Sequence, residues 1–167
     1  MLEVLSAFPV MVIAGIFQAT VFSRIHILNG SADLILLIII AWSLNPNTSF
    51  SWSWAVSGAI IMTYLSAIPF YGYFLIYGIV WLFILFLKTF FWQMPLILML
   101  LVTIFGSLIS AGISYGILNF SVNTIDFNLA LTQIIIPSLT LNLLLAIPVY
   151  GLLNDLASAI CRRKDVE

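Results

Sequence analysis

The chain reads as an all-α polytopic membrane protein, a bundle of six transmembrane helices, and three observations predict it. Of 167 residues, 63% are hydrophobic and 7% charged, with a mean hydropathy of +1.23, whereas a soluble domain carries about 25% charged residues. The charged and histidine side chains are Glu3, Arg24, His26, Asp33, Lys88, Asp126, Asp155, Arg162, Arg163, Lys164, Asp165 and Glu167. They are too few to coat a core of this size against water, so most of the surface is expected to face lipid. Apolar runs also recur along the chain at close to bilayer length; six spans of roughly 20 residues use about 120, which leaves one integral domain, 1–167, and no room for a soluble one. A net charge of −1 offers no basic face for nucleic acid, and a single cysteine, Cys161, excludes an internal disulfide framework.

The first run, 4–22, follows the acidic Glu3 instead of a positive stretch and shows no small-residue cleavage site, so it is expected to be a retained helix and not a signal peptide. The second, 32–44, would measure only ~20 Å as a helix, short of the ~30 Å hydrocarbon core. It is expected to be a short, buried or extended span. The third, 50–68, is closed by Pro69, and the fourth, 70–87, by Lys88; Ile68-Pro69-Phe70-Tyr71-Gly72 between them is a tight hairpin signal. The fifth covers 94–118. The sixth covers 129–160, longer than one crossing and interrupted by Pro137 and Pro148.

Six spans place both termini on one side, and Arg162-Arg163-Lys164 make that side cytoplasmic by the positive-inside rule. Lys88 falls on the same side and Arg24 on the other. Trp42, Trp52, Trp54 and Trp92 flank the two cytoplasmic loops, where an indole is expected at headgroup level with its N–H in water. Tyr71, Tyr73 and Tyr115 mark the opposite interface. Charges are therefore expected at span ends, where they set topology, with none at mid-membrane to couple ion transport.

Enzymatic groupings are missing: there is no His-Glu-x-x-His, no glycine-rich phosphate loop and no pair of carboxylates within one span. The chain is expected to be no enzyme and to need no cofactor or metal. His26 stands alone in a loop, and metal sites need clustered ligands. Cys161 beside three basic residues is either an acylation position or an unreacted thiol. Ser31 and Asp33 before the second span suit a helix start, Ser31 as N-cap and Asp33 in the first turn; the alternative is a carboxylate facing a cavity or a partner helix.

Thr103, Ser107, Ser110 and Ser114 fall on one stripe of the fifth span, flanked by Gly106, Ala111, Gly112 and Gly116. In lipid, helices associate through small residues and interhelical hydrogen bonds, so this stripe is expected to be a packing seam, within the chain or with a partner. Gly15 and Ala19 form a weaker pair of the same kind. In the sixth span Pro137 and Pro148 each remove a backbone donor, freeing carbonyls near Gln133 and Leu144 that need another partner. Ser138 and Asn142 share one face, Gln133 and Thr140 another. An Asn in hydrocarbon costs roughly a few kcal/mol unless hydrogen-bonded, so Asn142 is expected to point into the bundle or at another protein.

These segments line up with a known pattern. Phe17-Gln18-Ala19-Thr20-Val21-Phe22-Ser23-Arg24-Ile25-His26-Ile27-Leu28-Asn29-Gly30, followed by Ala32-Asp33-Leu34, resembles the opening of the bacterial rod shape-determining protein MreD family. There a Leu-Gln pair, a short loop and a Pro-Asp-Leu triplet stand in this order; here Phe17 replaces the Leu and Ala32 the Pro. Gly58 and Pro69-Phe70-Tyr71-Gly72 look like the family's third span and hairpin, with Thr63 near the place where the family usually has an acid. Ile136-Pro137-Ser138-Leu139, Asn142, Pro148, Tyr150 and the basic tail are similar to its last span.

The resemblance implies a non-enzymatic scaffold of the cell-elongation machinery in the bacterial inner membrane, supporting lateral peptidoglycan synthesis and cell shape. It implies binding to the single-span shape protein MreC, beside the actin-like MreB and the RodA glycosyltransferase with its transpeptidase. The implied fold is similar to the six-helix substrate-binding subunits of energy-coupling-factor vitamin transporters. Carried over by position, Gln18, Asp33 and Asn142 are the expected functional residues; helix packing adds Ser107, Ser110, Gly112, Ser114, Gly116, Pro137 and Ser138. The second reading is a substrate-binding subunit for a vitamin-like ligand.

Overall fold

A computed structural model describes residues 2–22, 24, 28–90, 95–121 and 126–161. Helix α1 (Leu2–Phe17) continues through a π-helical turn, Gln18–Phe22. Then come α2 (Leu34–Leu44), α3 (Trp52–Leu65), α4 (Phe70–Lys88) and α5 (Pro95–Ser121). The last rod consists of α6 (Phe127–Ala130), a second π-helical turn (Leu131–Ile135) and α7 (Ile136–Cys161).

Four segments are long and apolar enough to cross a bilayer: Glu3–Val21, Phe70–Lys88, Pro95–Phe120 and Phe127–Ile160. Of the six expected spans, the first, fourth, fifth and sixth are met by these four segments. The runs 32–44 and 50–68 contract to α2 and α3, of 11 and 14 residues, or ~16 and ~21 Å at 1.5 Å per residue. Residues before Leu34 leave the helix because Asp33 caps it, and α3 ends at Ser66 as the chain turns into Pro69, which caps α4. The Gly72 N–H donates to the Pro69 carbonyl at 2.8 Å as α4 opens, and α3 and α4 pack on each other, so the expected hairpin forms.

Helix α2 is the axis of the bundle. Every residue from Ile35 to Leu44 is buried, and α7, α4, α5, α3 and α1 all pack on it. A helix apolar on all sides needs such a jacket. The jacket turns Leu5, Phe8, Ile13 and Ile16 of α1, Leu82 and Phe86 of α4, and Leu144 and Leu152 of α7 outward. Such a surface fits a membrane protein. Gly58 lets α3 approach α2: a Cβ there would lie 2.9 Å from both Ile35 Cγ2 and Ile39 Cδ1. Gly15 does the same for α1 against Ile61 of α3, whereas Gly112 and Gly116 have nothing within 4 Å of the Cβ position. The seam expected around those two glycines is therefore not a close approach among the described residues.

One end of the bundle is a dry knot. Glu3 is sealed from solvent and accepts from Trp42 Nε1 (3.3 Å), Ser49 N (3.3 Å) and Phe50 N (3.0 Å). Trp42 stacks on Trp54 at 3.8 Å between centroids, and both are fully buried. This corrects the expectation of wet indoles, because the rings fill the space between α2 and α3, and Trp54 Nε1 has no acceptor. Lys88 Nζ donates to the Ser43 (2.8 Å) and Asn45 (3.2 Å) carbonyls at the C-terminal end of α2, where a cation is favoured. Asn45 Nδ2 donates to Asn154 Oδ1 at 3.0 Å, so Glu3 and Asn154 lie at the same end of the bundle. Trp52 and Tyr71 are exposed as expected, but Tyr73 is buried. Trp92, His26 and Arg162-Arg163-Lys164 lie outside the described residues.

Candidate functional site

The site starts from a missing hydrogen. Pro137 has no N–H to offer the carbonyl of Gln133 one turn earlier, and the rod is π-helical over Leu131–Ile135 just before it. The Gln133 carbonyl instead accepts from Asn29 N at 3.1 Å, while Asn29 Nδ2 donates to Gln133 Oε1 at 2.9 Å. This is the partner that the proline pattern calls for. The Gly30 backbone then lies flat on α7: a Cβ there would stand 2.6 Å from Ser138 N, 2.8 Å from Pro137 Cβ and 2.9 Å from Ile134 O. Ser31 N donates to Ser138 Oγ (3.1 Å), and Asp33 N to Asn142 Oδ1 (2.8 Å).

Residues 29–33 thus form an extended strap that follows α7 inward from Gln133 to Asn142. Its other side is held by Gln18, whose Nε2 donates to the Ala32 carbonyl (2.7 Å) and whose Oε1 accepts from Leu34 N (2.8 Å). Irregular backbone survives at membrane depth only when its polar groups are satisfied by protein, and here side chains of α7 and the Gln18 turn satisfy them.

The strap delivers Asp33 to the inner end of α2. Asp33 is itself the N-cap, its Oδ1 accepting from Leu36 N at 2.9 Å; Ser31, expected in that role, stands two residues outside the helix, its backbone N–H on Ser138. Tyr77 Oη donates to Asp33 Oδ1 at 3.3 Å and Oδ2 at 3.4 Å. Tyr77 lies ~10 Å in from the Phe70 end of α4, and Asn142 lies midway along its rod, so this carboxylate sits at mid-bundle and not at a mouth. The expectation that no charge lies deep in the bundle does not hold for Asp33, and the alternative of a carboxylate facing a cavity does: the strap carries it inward from a segment that reads as a surface loop.

A cavity of about 210 Å³ opens beside Asp33, walled by Gln18, Tyr73, Ser107, Ser110, Ser114, Ser138 and Asn142. Asn142 is buried and points inward, its Nδ2 donating to Ser107 Oγ at 2.9 Å and tying α7 to α5. The polar stripe of α5 therefore divides. Thr103, bonded to the Met99 carbonyl at 2.7 Å, is packed away from the cavity, while Ser107, itself buried, Ser110 and Ser114 line it.

Of the residues expected from sequence, Gln18, Asp33, Ser107, Ser110, Ser114, Ser138 and Asn142 converge on this one cavity. Pro137 stands behind the strap, and Gly112 and Gly116 do not line it. Thr63 bonds to its own helix at the Ala59 carbonyl (2.8 Å), as does Thr140 at Ile136. Sequence reasoning missed Gly30, Tyr73 and Tyr77. The spacing of Tyr73 and Tyr77, one turn apart, was the available signal for an inward polar face on α4. No cluster of three or more His, Cys, Asp or Glu exists among the described residues. No family model, no curated protein and no solved structure matches this chain.

Proposed function

We propose that the chain is a non-enzymatic scaffold of the bacterial cell-elongation complex, of the MreD kind. In this reading it lies in the inner membrane as six helical spans with both termini cytoplasmic, in an arrangement similar to vitamin-transporter substrate-binding subunits. It binds an MreC-like single-span protein through helix contact and supports MreB, RodA and its transpeptidase in lateral peptidoglycan synthesis. The observation that carries the reading is that the residues of the resemblance belong to one network. Gln18 grips the strap on one side and Asn142 on the other, with Asp33 between them, although Asp33 and Asn142 are 109 positions apart.

Co-expression with the single-span shape protein is expected to yield a complex that survives detergent extraction; separate recovery of two folded proteins would sink the reading. Reporter fusions after residue 161 and in the 119–127 loop are expected to report cytoplasm and exterior respectively.

A vitamin-binding subunit is the second reading, favoured by the polar cavity itself. Its volume of about 210 Å³ falls below the roughly 300–1,000 Å³ of sites that enclose such ligands, which weighs for the scaffold. Nanomolar binding of a vitamin to the purified chain alone, measured by calorimetry, would reverse that order.

A further inference from the structure

We propose that the cavity beside Asp33 binds one small monovalent metal cation, an alkali ion, with the Asp33 carboxylate as its counter-charge. The first support is the charge balance. Moving a carboxylate from water into a bundle interior costs several kcal/mol unless it is paired, and intramembrane acids are ordinarily found with a partner. The described Lys and Arg residues are Arg24 and Lys88. Lys88 is anchored at the opposite end of α2, ~16 Å away along the helix, and Arg24 is exposed on the chain before the strap.

Among the described residues, what contacts Asp33 is neutral and unevenly shared. Oδ1 takes the Leu36 N–H, which also compensates the positive end of α2, and the nearer Tyr77 contact; Oδ2 has only the 3.4 Å contact with Tyr77. One oxygen of this cavity-lining carboxylate is thus left with spare accepting capacity.

The second support is the donor set on the wall. Ser107, Ser110, Ser114 and Ser138 add hydroxyl oxygens, with no thiol or imidazole beside them among the described residues. Hard oxygen donors suit hard cations, and softer transition metals prefer His or Cys. A divalent ion generally recruits more than one carboxylate, so a wall with a single acid fits a single positive charge. Size agrees: about 210 Å³ holds an ion with a few waters, each taking roughly 30 Å³. Bound there, the ion would join the N-terminal end of α2 to α5 and α7. This inference is independent of the scaffold reading, since it concerns the isolated chain and needs no protein partner.

The test is thermal unfolding of the purified full chain in lipid nanodiscs, in sodium, potassium or N-methylglucamine chloride at equal ionic strength. The midpoint is expected to rise saturably with sodium or potassium, by several degrees at about a hundredfold excess over the dissociation constant, and to stay flat with the bulky organic cation. Asp33→Asn, which keeps a capping oxygen, is expected to remain folded and lose the dependence. The Ser110→Ala, Ser114→Ala double variant keeps the carboxylate and is expected to need roughly tenfold more ion; if Asp33→Asn does not fold, this variant decides. Equal midpoints in all three salts, an unchanged ion response in either variant, or a response to pH alone would overturn the proposal.

Discussion

At its C-terminal end α2 meets Glu3, sealed from solvent and held by one indole and two backbone N–H groups. At its N-terminal end sits Asp33, held by one backbone N–H and one long phenol contact, with a cavity at its side. Both carboxylates are drawn into the bundle, yet only one has its surroundings closed over it. Around Glu3 the neighbours are large aromatic rings that exclude water, and the acid is the common acceptor for three donors of the chain turning from α2 into α3. Around Asp33 the phenol of Tyr77 stands on one side, and the adjoining cavity is walled largely by short hydroxyl side chains that leave space. The difference separates a carboxylate spent on architecture from one with capacity left for a ligand.

Removing Glu3 should therefore be the most damaging single change. Glu3→Ala orphans Trp42 Nε1 and the N–H groups of Ser49 and Phe50; at about 1–3 kcal/mol per buried orphan, tempered by water entry, a loss of about 4 kcal/mol is expected. Glu3→Gln keeps one acceptor oxygen and is expected to cost about half as much. Unfolding in a denaturing-detergent titration, followed by tryptophan fluorescence, measures both. A loss under about 1 kcal/mol for the alanine variant would mean that the knot is not a structural lock.

On the cavity side the backbone, not the acid, is expected to be the sensitive element. Gly30→Ala puts a methyl against Ser138 N and Ile134 O, backbone atoms of the rod that cannot swing aside. Overpacking of this kind costs about 2–3 kcal/mol, and proteolysis in the 23–33 segment is expected to accelerate as the strap lifts. Gln18→Ala and Asn142→Leu remove the grips on either side of the strap. Each is expected to cost about 2 kcal/mol, with a coupling of about 1 kcal/mol in the double variant, because the second loss acts on a strap already loosened. Strict additivity would show that the two grips act separately.

Much of the helical framework was legible in the sequence, and the physical reason is local. Apolar runs of bilayer length, Pro69 before a hairpin, and Pro137 leaving the Gln133 carbonyl without its donor are all read within one or two turns. Asn142 also declared itself, since an amide in an apolar run has to find partners. What stayed hidden depends on contacts between distant positions. Residues 29–33 look like a surface loop until Gln133, Ser138 and Asn142, more than 100 positions away, supply their partners. Trp42 and Trp54 have the composition of an interfacial belt, and only the stacking of α2 on α3 makes them core. The short α2 followed from its length, but the strap that completes its path did not.

The smallest expected effect is the most informative about the two acids. Asp33→Asn keeps an oxygen able to cap α2 through the Leu36 N–H, and Asn ranks with Asp as an N-cap. It also removes a charge that the described protein groups leave without a cationic partner, which offsets what is lost in attraction to the helix end. A change within about 0.5 kcal/mol of zero is expected when no alkali ion is supplied, against about 2 kcal/mol for Glu3→Gln in the same titration. The isosteric change of acid to amide is the same at both sites, so any difference between them comes from the surroundings. If Asp33→Asn proves as costly as Glu3→Gln, Asp33 is a second architectural acid and the contrast collapses. If it is neutral in N-methylglucamine and destabilising relative to the parent chain only when sodium or potassium is present, the cost belongs to the lost ion.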